Sequence, residues 1–182
     1  MDEVSRVIVR ILSDLRVELT DEFDKSFERQ AFFSESWQRR RSPIRKDRAL
    51  LVDTGRLRQS IQSRSTADSI TFFTTEPYAG IHNDGGEIQV TERMKKFFWA
   101  KYYESSGSFG RRKDGSLRQD KRTRQLSEEA DFWKLMALMK VGSTIKIPRR
   151  RFLGTSPEVE QIVREAIERN LTEYFETEFK IQ

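Results

Sequence analysis

Apolar positions along the chain change their spacing several times, and each change predicts an element. From residue 2 to 28, Val4, Ile8, Ile11, Leu15, Leu19, Phe23 and Phe27 recur every three or four residues with no Gly or Pro between them. That spacing lines one face of a single long helix. Asp2 or Ser5 is placed to cap its start. Phe32, Phe33 and Trp37 follow as an aromatic cluster expected to cover one edge of the core, and Gln38 to Arg48, with Pro43 and six basic residues, reads as an exposed loop. Residues 54–61 are short and helical, with Leu57 and Ile61 four apart on one side. Gln62–Thr66 and Ser69–Thr75 then predict a hairpin about Ala67-Asp68, rich in Thr, Ile and Phe. Pro77 ends its second strand, Tyr78–Ile81 forms one helical turn, and Asn83-Asp84-Gly85-Gly86 is a turn.

Glu87–Thr91 and Thr144–Ile147 read as short strands, and a separate pattern lies between them. Met94, Phe97, Phe98 and Tyr102 predict a helix over 92–104; Phe132, Leu135, Met136 and Met139 predict another over 127–140. Ser105–Gln125, rich in Gly, Ser, Lys and Arg, supplies no core side chains and is expected to be mobile or to order on binding. At the end, Ser156-Pro157-Glu158 gives a cap, a Pro at the first helical position and an acidic first turn. Val159, Ile162, Val163, Ala166, Ile167, Leu171, Tyr174 and Phe175 carry that helix to about residue 178. The expected fold is α+β: a small antiparallel sheet packed against long N- and C-terminal helices. Residues 1–91 and 142–182 form its core, and 92–141 an inserted helical hairpin with a flexible basic linker.

Composition narrows the functions open to this chain. Its 182 residues suit one domain with an inserted subdomain. The apolar fraction is 36%, the charged fraction 35% and the mean hydropathy −0.73, so much of the chain is solvated or its core is completed by a partner. Thirteen Phe, four Tyr and three Trp argue against disorder. The absence of Cys excludes disulfides, thiol catalysis and Cys-bound zinc, and the single His82 leaves no His pair for a metal or a proton relay. No apolar run approaches the roughly 20 residues of a membrane span. Met1-Asp2-Glu3 is acidic where a signal peptide is basic, so a soluble protein of the cytoplasm in which it is made is expected, with no membrane partner.

The net charge of +5 conceals segregation. Residues 39–48 carry +5, residues 111–124 another +5, and Lys146 with Arg149–Arg151 +4, leaving −9 for the rest. Such blocks favour a polyanion or an acidic protein face.

Two segments invite catalytic readings. Asp53-Thr54-Gly55 is the triplet of aspartic proteases, which need two carboxylates sharing one proton. A second triplet is absent, so only a dimer acting through Asp53 could supply the pair. Arg56 and Arg58 would hold the carboxylate ionised, and Arg56–Ile61 favours helix over the β structure a protease requires. A capped helix start, with Asp53 or Thr54 capping and Gly55 allowing the tight turn, fits better. His82 beside Asp84 lacks a nucleophile placed by any motif, and Gly107, Gly110 and Gly115 lack the strand-to-helix context of a phosphate loop. No catalytic, metal-binding or cofactor-binding residue is assigned, and the chain is expected not to be an enzyme.

Three segments in order resemble the phage virion morphogenesis family, the tail-completion or neck proteins of Mu-like phages and prophages. They are Leu51–Ile61, Tyr78–Gly86 and Ile147–Gly154, the last leading into the terminal helix. The family usually has Gln after the His where this chain has Asn83, and a small residue and a Pro where it has Arg149 and Arg151. The resemblance implies a non-enzymatic assembly protein that completes the tail or joins it to the head. It would act as a ring of identical copies in the virion neck, monomeric or not when free, against connector, tail-tube or terminator proteins. DNA would pass in the lumen. Asp53, Thr54, Gly55, Tyr78, His82, Gly85, Pro148, Arg150, Phe152 and Leu153 would then define the fold. Arg111, Arg112, Lys113, Arg118, Lys121, Arg122 and Arg124 are the expected partner- or DNA-facing surface. The alternative is a nucleic-acid-binding module using the same basic blocks.

Overall fold

In the computed structural model, which describes residues 3–179, the elements follow the chain as α1 (Glu3–Arg29), β1 (Ala31–Phe32), β2 (Glu35–Ser36), α2 (Arg56–Gln59), β3 (Ile61–Ser65), β4 (Ile70–Thr74), α3 (Ala79–Asn83), β5 (Gly86–Gln89), α4 (Glu92–Gly107), α5 (Lys121–Leu138), β6 (Thr144–Ile147) and α6 (Pro157–Phe179). The architecture is α+β with long terminal helices, as predicted. The strands, however, form three separate two-stranded antiparallel ladders, β1–β2, β3–β4 and β5–β6, and not one sheet. Each strand pairs on one edge only. The chain divides into two compact units: residues 1–38, 49–84 and 149–182 make the first, residues 39–48 and 85–148 the second.

The first unit is built on α1, whose Leu15, Leu19, Phe23 and Phe27 are buried. Phe32 and Trp37, expected at an edge, lie inside: Phe32 stacks on Phe23 at 6.1 Å and Trp37 meets Phe27 edge-on at 5.6 Å. The tight β1–β2 hairpin brings them there, turning through Phe33 at φ 50°. Phe27, Trp37, Leu50, Leu57, Ala79 and Phe152 form one buried cluster; Leu19, Phe23, Phe32 and Val159 form another.

Helix α6 starts as its sequence directs, with Ser156 Oγ accepting from Val159 N at 3.3 Å. It runs antiparallel to α1, since Arg169 pairs with Glu18, Asn170 with Asp14, Arg10 with Glu173 and Tyr174 with Glu3. That seam is largely polar, so the predicted stripes are only partly buried. Val4 (67% exposed), Ile8, Ile167, Leu171 and Phe175 remain open to solvent. Ser5 lies inside α1 and is not its cap; Asp2 falls outside the described residues.

In the second unit β5 and β6 pair from Gly86↔Ile147 to Gln89↔Thr144, and Val90 closes the ladder with bonds to Ser143 and Gly142. Thr91 caps α4 through Met94 N, and Asp120 caps α5 through Thr123 N. Small inward residues on α5 (Thr123, Ala130, Ala137) leave room for α4, and Phe98 stacks on Trp133 at 5.8 Å. Helix α5 begins at Lys121, six residues before its predicted start. Its first turn is basic and shows no apolar stripe, so periodicity passed over it; the cap at Asp120 was the available signal.

Candidate functional site

The first motif, Tyr78–Asp84 of the second and Arg149–Gly154 of the third lie in the first unit; Gly85, Gly86, Ile147 and Pro148 lie in the second. In the first motif, Gly55 sits at φ 76°, the left-handed region that glycine enters without strain, and α2 leaves from it. The helix has no side-chain cap: Thr54 Oγ1 only accepts from Arg56 N at 3.4 Å, so capping by Asp53 or Thr54 gives way to the glycine turn. Leu57 points into the core. Arg56 reaches Glu76 at 2.7 Å, and Arg58 grips both carboxylate oxygens of Asp24 and also Glu28. These guanidiniums therefore serve other acids than Asp53, and Arg58 holds the Asp24 carboxyl below its usual range.

The second and third motifs are bound to each other through the backbone. His82 carbonyl accepts from Arg150 N at 2.8 Å. Asn83 Oδ1 accepts from both Phe152 N and Leu153 N at 3.0 Å. Trp37 Nε1 donates to the Arg151 carbonyl at 2.6 Å, and Arg150 Nε donates to the Gln38 carbonyl at 3.1 Å. Arg149 pairs with Glu35, and the Arg151 guanidinium lies 5.0 Å over the Phe32 ring. Gly154, at φ 140°, follows; a Cβ there would come within 2.7 Å of Arg151 Nη2. The motif arginines thus hold the chain around buried Phe152. Neither arginine that replaces the usual neighbours of Arg150 is idle.

Little of this arrangement is catalytic. Asp53 and Thr54 are exposed on a loop, and Tyr78 packs edge-on to the His82 ring at 6.1 Å. His82 Nδ1 is buried without a hydrogen-bond partner. Desolvation, and then the nearby Arg150 charge, push its pKa down, which keeps the ring neutral. Gly85 (φ 74°) and Gly86 (φ 158°) carry the chain out of the turn, and Pro148 precedes the arginine run.

The seven predicted partner-facing residues gather in the second unit, where α4 ends and α5 begins. Arg111 and Leu117 form a bridge, with Arg112 N bonded to the Ser116 carbonyl and Gly115 N to the Arg112 carbonyl. The Arg111 and Arg118 guanidiniums also donate to backbone carbonyls of this turn. All seven are exposed. Among the described residues none of them pairs with a carboxylate at salt-bridge distance. The two acids of the segment, both exposed, bond within it: Asp114 accepts from Ser116 Oγ and N, Asp120 from Thr123 N. Those bonds lower both carboxyl pKa values, so both stay ionised.

A family model described as the phage virion morphogenesis family matches residues 9–172. The chain belongs to the phage virion morphogenesis family. No curated protein and no solved structure matches it. Membership gives this protein a role in virion assembly. No described helix of this family member is long and apolar enough to cross a membrane. Its charge divides with its fold: the second unit carries twenty Lys and Arg against nine Asp and Glu, the first fourteen against twenty. Asn83 proves to be the acceptor that ties two motifs together. Sequence reading missed that role, as it missed Trp37 and Gln38 as partners of the arginine run.

Proposed function

We propose that this virion morphogenesis protein completes the tail or joins it to the head, acting without catalysis as a ring of identical copies at the neck. The observation that carries this reading is the partition of charge, +11 on the second unit against −6 on the first. Copies bearing opposite charges on different surfaces attract head to tail, and head-to-tail contacts close into rings. The exposed row of Ile167, Leu171 and Phe175 on α6 gives such a contact apolar area to bury. The seven basic residues at the end of the α4/α5 hairpin face a virion partner, and the motif residues hold the first unit together.

The test is the mass of the purified protein by sedimentation, with imaging of any ring, at low and high salt. Rings that form at low salt and dissociate as salt rises support the reading, because exposed charge contacts are screened. A chain that stays monomeric at every salt and concentration, and in the presence of connector or tail-tube proteins, would overturn it. Alanine at all seven basic positions is expected to impair virion assembly in a complementation assay. Unimpaired assembly and DNA retention would remove that surface from the mechanism. A peptidase activity abolished by Asp53→Asn would restore the protease.

A further inference from the structure

The second unit carries an aromatic surface that neither its core nor the basic turn accounts for. On α4 the Trp99 and Tyr103 rings stack at 6.0 Å and 27°, and Tyr102 meets Trp99 edge-on at 5.7 Å. Phe97 and the buried Phe98 of the same helix turn toward α5, each meeting Trp133 at 5.8 Å. Tyr103 is 64% exposed, the most of any aromatic among the described residues. It lies one turn before the end of α4, from which the basic turn departs. Lys95 and Lys96 lie one turn before the Trp99 position on the same helix.

We infer that this end of the α4/α5 hairpin binds single-stranded nucleic acid without reading its sequence. The basic groups of the turn and of the first turn of α5 take the phosphates, and the Trp99–Tyr103 stack takes unpaired bases. The inference accepts the hairpin end as the partner-facing surface proposed above and names its ligand. Three features favour a nucleic acid over an acidic protein face. The surface is strongly basic, seven cations against two acids, and both acids, Asp114 and Asp120, are bonded within the turn and the cap. It offers seven charged groups where the centre of a protein–protein interface is depleted in charge, whereas nucleic-acid interfaces are strongly positive. It adds an exposed ring, Tyr103, backed by half-buried Trp99, on which any base can stack, the combination that sequence-tolerant single-strand binders use.

The test is fluorescence anisotropy of a labelled oligothymidine of about 20 nucleotides, long enough to span a typical single-strand site, against the full chain. Its duplex with oligoadenine and a polyglutamate competitor run in parallel. If four of the basic groups meet phosphates, affinity for the single strand falls about 50-fold between about 50 and 200 mM salt. Arg111→Glu with Arg112→Glu and Lys113→Glu is expected to weaken binding at least about tenfold. Because Arg111 also braces the turn, Lys121→Glu with Arg122→Glu and Arg124→Glu repeats the test on α5. Tyr103→Ala is expected to cost about five- to fifty-fold for the single strand and little for the duplex. Equal affinity for strand and duplex, unmoved by Tyr103→Ala, would overturn the stacking role. No binding at about 50 mM salt, or displacement by polyglutamate bound to the same surface, would overturn the nucleic-acid assignment in favour of a protein contact. Sedimentation of the same samples reports ring formation separately, so the loss of either property leaves the other measured.

Discussion

Replacing Asn83 with Ala tests whether the second and third motifs are held together by one side-chain oxygen. In the wild type that oxygen accepts from Phe152 N and Leu153 N, both at 3.0 Å. Alanine leaves both donors unpaired. Phe152 is 1% exposed, so its N–H cannot turn to water and bears the full desolvation cost, about 1–3 kcal/mol. Leu153 is half-buried, and solvent recovers part of its loss. Together the substitution should cost about 2–4 kcal/mol of the first unit's stability. Urea unfolding should be followed through the Trp37 indole N–H resonance, because that group donates to the Arg151 carbonyl beside the clamp. The midpoint should fall with the slope unchanged, the mark of altered stability without altered exposed area. Asn83→Asp, which keeps the accepting oxygen but places a second carboxylate against Asp84, should lose less than Asn83→Ala. A loss below about 0.5 kcal/mol for Asn83→Ala, no more than an ordinary surface substitution, would refute the clamp.

Three further outcomes follow from the same unit. Gly154→Ala places a Cβ within 2.7 Å of Arg151 Nη2 at φ 140°; it should cost about 1–3 kcal/mol, read as a lowered thermal midpoint. Phe152→Ala empties a buried site packed at 5.3 Å against Phe27 and should cost about 3–5 kcal/mol in urea unfolding, with lost near-ultraviolet dichroism. His82 has a folded-state pKa below its ordinary 6.5, so the unfolded chain takes up its proton first as pH falls. Its contribution is complete above about pH 6.5 and is lost as pH drops through that value toward the folded pKa. His82→Gln should flatten this part of the stability profile measured by urea unfolding; an unchanged slope there would refute the buried neutral ring.

Most elements whose cause is local could be read from the chain alone. The 3.6-residue stripe of α1, the Ser156-Pro157-Glu158 start of α6, the Thr66–Ser69 turn between β3 and β4, and the glycine that opens α2 were all legible. Helix periodicity, caps and turn residues act between neighbours in the chain, so their signal survives in one dimension. The motifs were legible as landmarks, and the basic cluster as a surface.

Which of those landmarks touch came from the folded chain. Asn83 reaches residues 69 and 70 positions away, and the Trp37 indole reaches one 114 away; no periodicity records either bond. The same holds for how much of an apolar stripe is covered. Val4 and Phe175 satisfy the pattern as well as Phe23 does, yet they stay exposed because α1 and α6 meet along a polar seam. It also decided that the two acids of the basic segment bond to its own turn and cap and leave its cations without a carboxylate partner among the described residues. Spacing says which face a side chain lies on, but burial and pairing depend on what another part of the chain brings to that face.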